Sequence, residues 1–451
     1  MAGNRPLPGG QTLSMLYSGH QFGVYVPQLG DGRAILIGQV RNAHGELWEL
    51  QLKGAGKTPY SRFGDGRAVL RSTLREYLCG ETMHGLGIPT TRALCIVGSP
   101  DPVQRETVES AAVLCRMAPS HLRFGNFEVF YYRGEHDKLA PLADYVIQNY
   151  FPGLVAPEGA PTTPLVGAPL GATARRDVYR VWLTEVVERT AKLVAQWQGV
   201  GFCHGVMNSD NMSILGLTLD YGPYGFMEAF DAHWICNHSD DNGRYAYDQQ
   251  PGIAHWNCSR LLQATLPLLD AVPEKAIEIA YEVLDRFGKT FVPENLALWR
   301  AKLGLRDARE DDPALVNALL TVLDRSKADF TTVFRLLAAV RTDSDAAPAV
   351  RDHVLDVAAF DAWLADYRAR LRAEQSEDAA RAARMNRVNP KYVLRNHLAQ
   401  AAIDKAQAGD YREIETLRAL LARPFDEQAG LERYAAPPPP GTQKVEVSCS
   451  S

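Results

Sequence analysis

The sequence predicts an α+β fold of two lobes. A small β-rich lobe with one key helix is expected over residues 1–120, and a large helical lobe over 121–425. Extra C-terminal helices and a Pro-rich tail over 426–451 complete it. Three observations predict this. Stretches 33–40 (RAILIGQV) and 46–53 (ELWELQLK) flank a turn from Asn42 to Gly45 and have the pattern of paired strands. From Asp65 the apolar spacing changes to three and four, and beyond residue 170 it stays largely helical. At 451 residues the chain exceeds one compact core, so two or three packed units are expected.

Each element follows from local pattern. Over 65–86, Leu70, Leu74, Tyr77 and Leu78 recur at helical intervals, with Asp65 as the expected N-cap and Gly85 to Pro89 as the stop. Strands are expected again at 92–97 and 108–117. Residues 152–170, rich in Pro, Gly and Ala, have the composition of a loop or insertion. A strong helix is expected over 174–199, with Val181, Leu183, Val187, Leu193, Val194 and Trp197 facing the core. Helical patterning then runs from about 260 to 425. A run of prolines at 437–440 introduces a tail expected to be disordered.

Composition excludes several classes. The net charge of -5, from 48 Lys and Arg against 53 Asp and Glu, gives no pull toward nucleic acid or an anionic membrane. Arg381, Arg384, Arg387, Lys391 and Arg395 fall at near-helical spacing and are expected on a solvated helix face. Seven cysteines without a C-x-x-C pair argue against a disulfide framework and a structural zinc site. Cys79, Cys95 and Cys115 sit in apolar patterns and are expected in the core. No stretch approaches a membrane span. The expectation is a soluble intracellular protein with neither nucleic acid nor membrane as partner.

The chemistry concentrates in HGVMNSDN, from His204 to Asn211, followed by Asp220-Tyr221-Gly222. Protein kinases use H-R-D-L-x-x-x-N, whose Asp takes the substrate proton, and then D-F-G, whose Asp holds magnesium together with the Asn. Aligned on His204, Asn211 falls on the metal-binding Asn and Asp220 opens D-Y-G. The base position is Val206, which cannot take a proton. A new carboxylate, Asp210, stands beside Asn211. The two-lobed fold is thus expected to be of the protein-kinase-like kind, with its usual base lost. Asn211 and Asp220 are oxygen donors of the type magnesium uses with phosphates and water, and His204 is expected to be structural.

Upstream, Lys53 ends an apolar strand and Glu76 lies on the next helix, the pairing that sets a lysine on nucleotide phosphates. An exposed Lys and Glu would give the same pattern. GDGRA occurs at 30–34 and 64–68. Its glycines let backbone N–H groups approach an anion and its arginine adds a fork of donors, although a lone copy equally suits a plain turn. The second copy is expected to open a helix, with Asp65 as its cap or an arginine's partner. Arg116 and Arg123 flank the passage between the lobes. Surface ion pairing is the ordinary use of arginine, but two more cations there suit a triphosphate buried at its γ end.

Together these residues make the chain resemble the selenoprotein O family, protein adenylyltransferases that include the bacterial YdiU proteins. The likeness runs through YSGHQFGVYVPQLGDGRA (17–34), LQLKGAGKTPYSRFGDGRAVLRSTLREYL (50–78) and HGVMNSDNMSILGLTLDYGPYGFMEAF (204–230). It continues in WICNHSDDNGRYAYDQQP (234–251), MNRVNPKYVLRNHLAQ (385–400) and the terminal CSS. The resemblance implies a kinase-like fold that binds ATP in an inverted pose. It implies transfer of AMP to Ser, Thr or Tyr hydroxyls of proteins, with release of pyrophosphate and with autoadenylylation among the outcomes.

By the same resemblance Gly30, Gly32, Arg33, Lys53, Asp65, Gly66, Arg116, Arg123 and Asp220 bind the nucleotide. Asp210 accepts the proton, and Asn211 and Asp220 hold Mg2+ or Mn2+. Manganese-dependent uridylylation from UTP is an implied alternative. A protein kinase and a non-catalytic nucleotide-binding pseudokinase are the others. A bacterial member is expected in the cytoplasm and a eukaryotic one in mitochondria. Relatives usually carry several dozen residues before the segment that begins here at Met1, so a shortened N-lobe is expected. The terminal CSS, with selenocysteine in animal members, has Cys449 here. A Cys236–Cys449 disulfide tethering the tail is the redox device this suggests.

Overall fold

A hairpin of β1 (Gly19–Gln21) and β2 (Val24–Val26) precedes the main sheet. That sheet comprises β3 (Ala34–Arg41), β4 (Leu47–Lys53), β5 (Ala68–Val69), β6 (Arg92–Gln104) and β7 (Val108–Ala118). It is antiparallel throughout, in the order β3-β4-β7-β5, with β6 also paired to β7. Helix α1 (Leu70–Gly85) interrupts the strands, and helices dominate thereafter. The computed structural model describes residues 3–154, 172–344, 346, 348–443 and 445–448. The chain is therefore a mixed α/β molecule with a small N-terminal sheet.

Strand β4 shows how the sequence builds both faces of this sheet. Side chains alternate along a strand, so Leu50 and Leu52 face a small apolar cluster with Cys115. Glu49, Gln51 and Lys53 point the other way. Glu49 and Gln51 are buried there, which is tolerable only because each is hydrogen-bonded. Register then fixes the partners, placing Gln51 opposite Arg116 and Lys53 opposite Leu114 on β7.

Helix α1 differs from expectation at its start. It begins at Leu70, not Asp65, because Ala68 and Val69 pair with β7 as β5. Asp65 is no N-cap; its Oδ1 accepts from the Arg67 N–H at 2.9 Å, an Asx-type turn. The second GDGRA segment accordingly leads into a strand. The helix stops as predicted, with Leu86, Gly87 and Ile88 N–H groups closing on the last turn's carbonyls.

After β7 come α2 (Gly125–Tyr132), α3 (Leu139–Tyr150), α4 (Ala172–Gly199), the short strands β8 (Phe202–Cys203) and β9 (Gly225–Phe226), α5 (Gln250–Leu269) and α6 (Pro273–Lys302). The remaining helices are α7 (Asp312–Ser326), α8 (Phe330–Leu337), α9 (Val357–Ala373), α10 (Asp378–Asn386), α11 (Asn396–Gln407) and α12 (Arg412–Leu421). The loop expected at 152–170 lies almost wholly outside the described residues. On α4, Leu183, Val187, Leu193, Val194 and Trp197 are buried as expected, but Val181 is 51% exposed. Two residues from Leu183 is about 200° around a helix, so Val181 faces away from that stripe.

One core cluster joins Leu74 and Leu78 of α1 to Phe127, Trp182, Trp197, Leu261 and Leu417, so sheet and helices share apolar contacts. A second cluster, around Phe330, Trp363 and Tyr367, serves the helices from α7 onward. The basic stretch of 381–395 is not one solvated face. Helix α10 ends at Asn386, and Arg381 and Arg395 are buried. Arg395 grips Asp329 through two bonds of 2.7 and 2.9 Å.

The tail also departs from expectation, because Val447 is buried and its carbonyl accepts from the His238 N–H at 2.9 Å. Cys236 is buried, its thiol directed at the Pro223 carbonyl (2.9 Å), whereas Cys449 lies outside the described residues.

The Arg395–Asp329 pair generates a stability prediction. Arg395→Met leaves a largely buried carboxylate without its fork, and should lower the unfolding free energy by roughly 3–5 kcal/mol. A shift in the urea midpoint at unchanged slope is the expected readout; an unchanged midpoint would remove the pair from the stability account.

Candidate active site

The sheet and the helical part meet at a cleft of about 880 Å³. Its lining includes Gly30, Gly32, Arg33, Lys53, Asp65, Gly66, Arg116, Asp210, Asn211 and Asp220. Arg123 sits immediately behind, buried, with its guanidinium 4.5 Å from the Tyr17 ring. The nucleotide, metal and proton-acceptor candidates from Gly30 to Asp220 therefore converge on one place, although they span nearly two hundred positions of chain.

The floor of the cleft is an ion cluster centred on Asp220. Arg123 Nη1 donates to Oδ2 at 2.5 Å, Arg116 Nη1 donates to Oδ1, and Lys53 Nζ stands 3.6 Å from Oδ1. Lys53 also pairs with Glu76 Oε2 at 2.5 Å, and Arg116 with Glu76 Oε1 at 3.3 Å. Burial works to raise the Asp220 carboxyl, but Arg123, Arg116 and Lys53 hold it well below the usual carboxylate range. Burial lowers Lys53, opposed by Glu76 and Asp220. Asp220 occupies the left-handed region, φ 56°, an uncommon conformation kept where the surroundings over-determine it.

Asp210 has the opposite environment. It is 6% exposed, its Oδ1 has no hydrogen-bond partner among the described residues, and Gln21 Nε2 donates to Oδ2 at 3.4 Å. Burial pushes its carboxyl up to about 7, with Arg123 as the main counterweight. Hairpin β1–β2 sets its position. The His20 N–H donates to Ser209 Oγ at 2.7 Å, and His20 Nδ1 meets Glu128 at 2.7 Å. Gly19 is required there, since a Cβ would sit 2.5 Å from Asp210 Oδ1. Asn211 Nδ2 donates to the Val206 carbonyl at 3.0 Å, which leaves its amide oxygen as the acceptor. His204 is structural as expected, buried with Nε2 on the Leu219 carbonyl at 3.0 Å.

The two GDGRA turns are less open than their glycines suggest. N–H groups of Asp31 and Gly32 donate to the Met15 and Gly30 carbonyls, at 2.9 and 2.7 Å. What this turn presents to the cleft is the Arg33 side chain more than a bare backbone nest. In the second copy Asp65 takes the partner role, bound by Arg105 at 2.9 and 3.1 Å and lowered to about 2 chiefly by that bond.

The arrangement has close counterparts. A family model described as "Protein adenylyltransferase SelO" matches residues 6–422. The chain belongs to the SelO family. It is 57% identical over 453 residues to "Protein nucleotidyltransferase YdiU" of Methylococcus capsulatus, covering 100% of this chain and 86% of that protein. The like-named protein of Paraburkholderia xenovorans is 56% identical over 443 residues, covering 97% and 82%. That of Thiobacillus denitrificans is 53% identical over 453 residues, covering 100% and 88%.

The donor set within the SelO cleft suits a hard divalent cation. Among the described residues no three His, Cys, Asp or Glu side chains gather as a metal cluster. Asn211 and Asp220 are oxygen donors of the kind such an ion takes alongside phosphates and water.

Several residues of the site escape motif reading. Asp31 is buried and accepts from Gln51 Nε2 at 3.0 Å; Gln51 Oε1 accepts from Arg116 Nε at 2.6 Å. This relay fixes the Arg116 fork from behind. Its signal in the sequence is a Gln amid the apolar residues of β4. Gly19, His20 and Gln21 left only the YSGHQFG string, and Glu128 left no signal; the role of all four is invisible without the fold.

Asp210 generates a pH prediction. Its folded pKa of about 7 stands above the unfolded value of about 4. Ionising it in place costs stability that grows as pH rises between those values and is absent below about 4. Asp210→Asn should raise the unfolding free energy by roughly 2–4 kcal/mol at pH 8, with the gain shrinking as pH falls toward 4. Urea titrations at several pH values check this; a pH-independent gain would refute the buried-ionisation account.

Proposed function

We propose that this chain is a protein adenylyltransferase that moves AMP from ATP onto Ser, Thr or Tyr hydroxyls of proteins. Nucleotidyl transfer to proteins accords with its SelO membership and with the names of its relatives. The single observation that carries the finer reading is Asp210: a buried carboxylate with an unpartnered oxygen, one residue from Asn211, in a cleft where Val206 fills the kinase base position. The fold is read as kinase-like and two-lobed, with the lobes over 1–120 and 121–425 and a tail over 426–451.

ATP lies inverted in this reading. Three cations, Lys53, Arg116 and Arg123, face two carboxylates, Glu76 and Asp220, at the floor of the cleft. The positive excess receives the γ end of the triphosphate. Arg33 and the Gly30–Gly32 and Asp65–Gly66 turns bound the rest of the nucleotide. Asn211 and Asp220 would hold Mg2+ or Mn2+, which neutralises phosphate charge when bound.

The acceptor hydroxyl gives its proton to Asp210 as its oxygen bonds to the α-phosphorus. The α–β bridging bond breaks, and pyrophosphate carries away the electron pair. Asp210 suits this role because a base near neutral pH combines ionisation with proton affinity. ATP and proteins, this chain itself included, are the substrates. The proposed location is the cytoplasm; no described helix is long and apolar enough to cross a membrane.

ATP labelled at the α position should label protein, and γ-labelled ATP should not; γ transfer alone would restore the kinase reading. UTP labelled at the α position, with manganese, is the comparison that ranks uridylylation. Asp210→Ala should lower turnover by roughly 10²–10⁴-fold with nucleotide affinity nearly kept, whereas Lys53→Ala and Arg116→Ala should weaken nucleotide binding in calorimetry. Turnover of the wild type should fall as pH drops below about 7, since protonated Asp210 cannot accept a proton. A flat profile from pH 6 to 8 would take the base role from Asp210.

A further inference from the structure

Outside the cleft, against hairpin β1–β2, two arginines enclose a tryptophan. The Arg244 guanidinium lies 4.9 Å from the Trp256 ring centre and that of Arg260 lies 5.2 Å from it. All three are partly exposed. Tyr25 and Tyr132 stack beside them with ring centres 4.1 Å apart. Trp, Tyr and Arg are the residues that dominate protein-binding surfaces.

Some arginines of this chain are tied to its own acids. Arg71, Arg92 and Arg105 each hold a carboxylate. Among the described residues, Arg244 and Arg260 hold none. The Arg260 side chain bonds only Gln263 (2.8 Å) and Ser259 (3.2 and 3.3 Å), and Arg244 Nε is buried without a partner. Stacking on Trp256 fixes both forks in advance, which lowers the ordering cost of meeting an anion.

Their place relates them to the acceptor side of the reaction. The Trp256 ring is 5.2 Å from the His20 ring, and the His20 N–H bonds Ser209, the neighbour of Asp210. Arg244 packs under the Phe22–Gly23 turn, whose Phe22 N–H is held by Tyr245 Oη at 2.9 Å. Phe22 also lines the cleft, whereas Arg244, Trp256 and Arg260 do not. The patch is thus one side-chain layer from Asp210 and separate from the nucleotide space.

We propose that the Arg244–Trp256–Arg260 stack is the docking surface for the protein substrate, and that it selects an acidic side chain flanking the accepting hydroxyl. The carboxylate of a Glu or Asp pairs with the guanidinium N–H groups that Ser259 and Gln263 leave over on Arg260 and with the Nη groups of Arg244, while the hydroxyl reaches Asp210. This rests on the transfer reading above, which requires a protein acceptor to approach Asp210.

The test uses the full chain with α-labelled ATP and two matched sets of synthetic peptides. Each set carries Ser, Thr and Tyr acceptors, flanked by Glu in one and by Lys in the other. Autolabelling is followed in the same tubes to report transfer itself. Glu-flanked peptides should be labelled with a kcat/KM at least about tenfold above the Lys-flanked set. The double variant Arg244→Glu/Arg260→Glu should invert that ratio. Arg244→Lys/Arg260→Lys, which keeps charge but not the planar fork, should reduce the preference without inverting it.

Nucleotide affinity, measured by calorimetry, establishes that the variants are folded. Autolabelling with equal use of both sets, or a ratio that charge reversal leaves unchanged, overturns the docking surface alone. Absence of α label on any protein or peptide overturns the transfer reading and this proposal with it.

Discussion

Asp220 is the interaction on which the rest of the structure depends. A carboxylate removed from water is costly unless its charge is met in place, and here the cations come from separate parts of the chain. Lys53 ends β4, Arg116 lies on β7, and Arg123 follows it toward α2. Glu76 of α1 binds two of the three from the other side. Separating the sheet from the helices would strip Lys53 and Arg116 of Glu76 and Asp220, so the cluster latches the cleft as well as furnishing its floor. Its excess of cations over carboxylates is what the proposed nucleotide pose uses.

Asp210 follows the reverse logic. Both acids belong to one cleft, yet burial governs the first and cations the second, so their proton affinities are driven apart. Such divergence between neighbouring carboxyls is how a site acquires separate acid–base and charge-holding roles. The Oδ1 left without a partner among the described residues is a stability cost at this position.

Precision at this site comes from the supports behind its charged groups. The Asp31–Gln51–Arg116 relay uses cross-strand register to aim a guanidinium, and hairpin β1–β2 uses a missing side chain at Gly19 to admit a carboxylate. Both are packing solutions to an electrostatic problem, because a charge displaced by an ångström loses much of its value in a low-dielectric interior.

The sequence by itself determined four of the five strands of the main sheet, the stop of α1, most of the buried stripe of α4 and the residues from Gly30 to Asp220 that gather at the cleft. These rest on local signals: period, turn chemistry, and catalytic spacing within a few tens of residues. It misjudged Asp65, because a cap is defined by the conformation of the next turn, and pairing of Ala68 and Val69 with β7 pre-empted it. It misplaced Val181, Arg381 and Arg395 because helical spacing states which residues share a face and not what that face meets. Only the tertiary structure decided that Asp210 is buried with its Oδ1 unpartnered among the described residues, that Gln51 stands behind Arg116, and that Arg244 and Arg260 share one tryptophan. Those facts depend on solvent exclusion and on contacts between segments distant in the chain, and neither has a local trace in the order of residues.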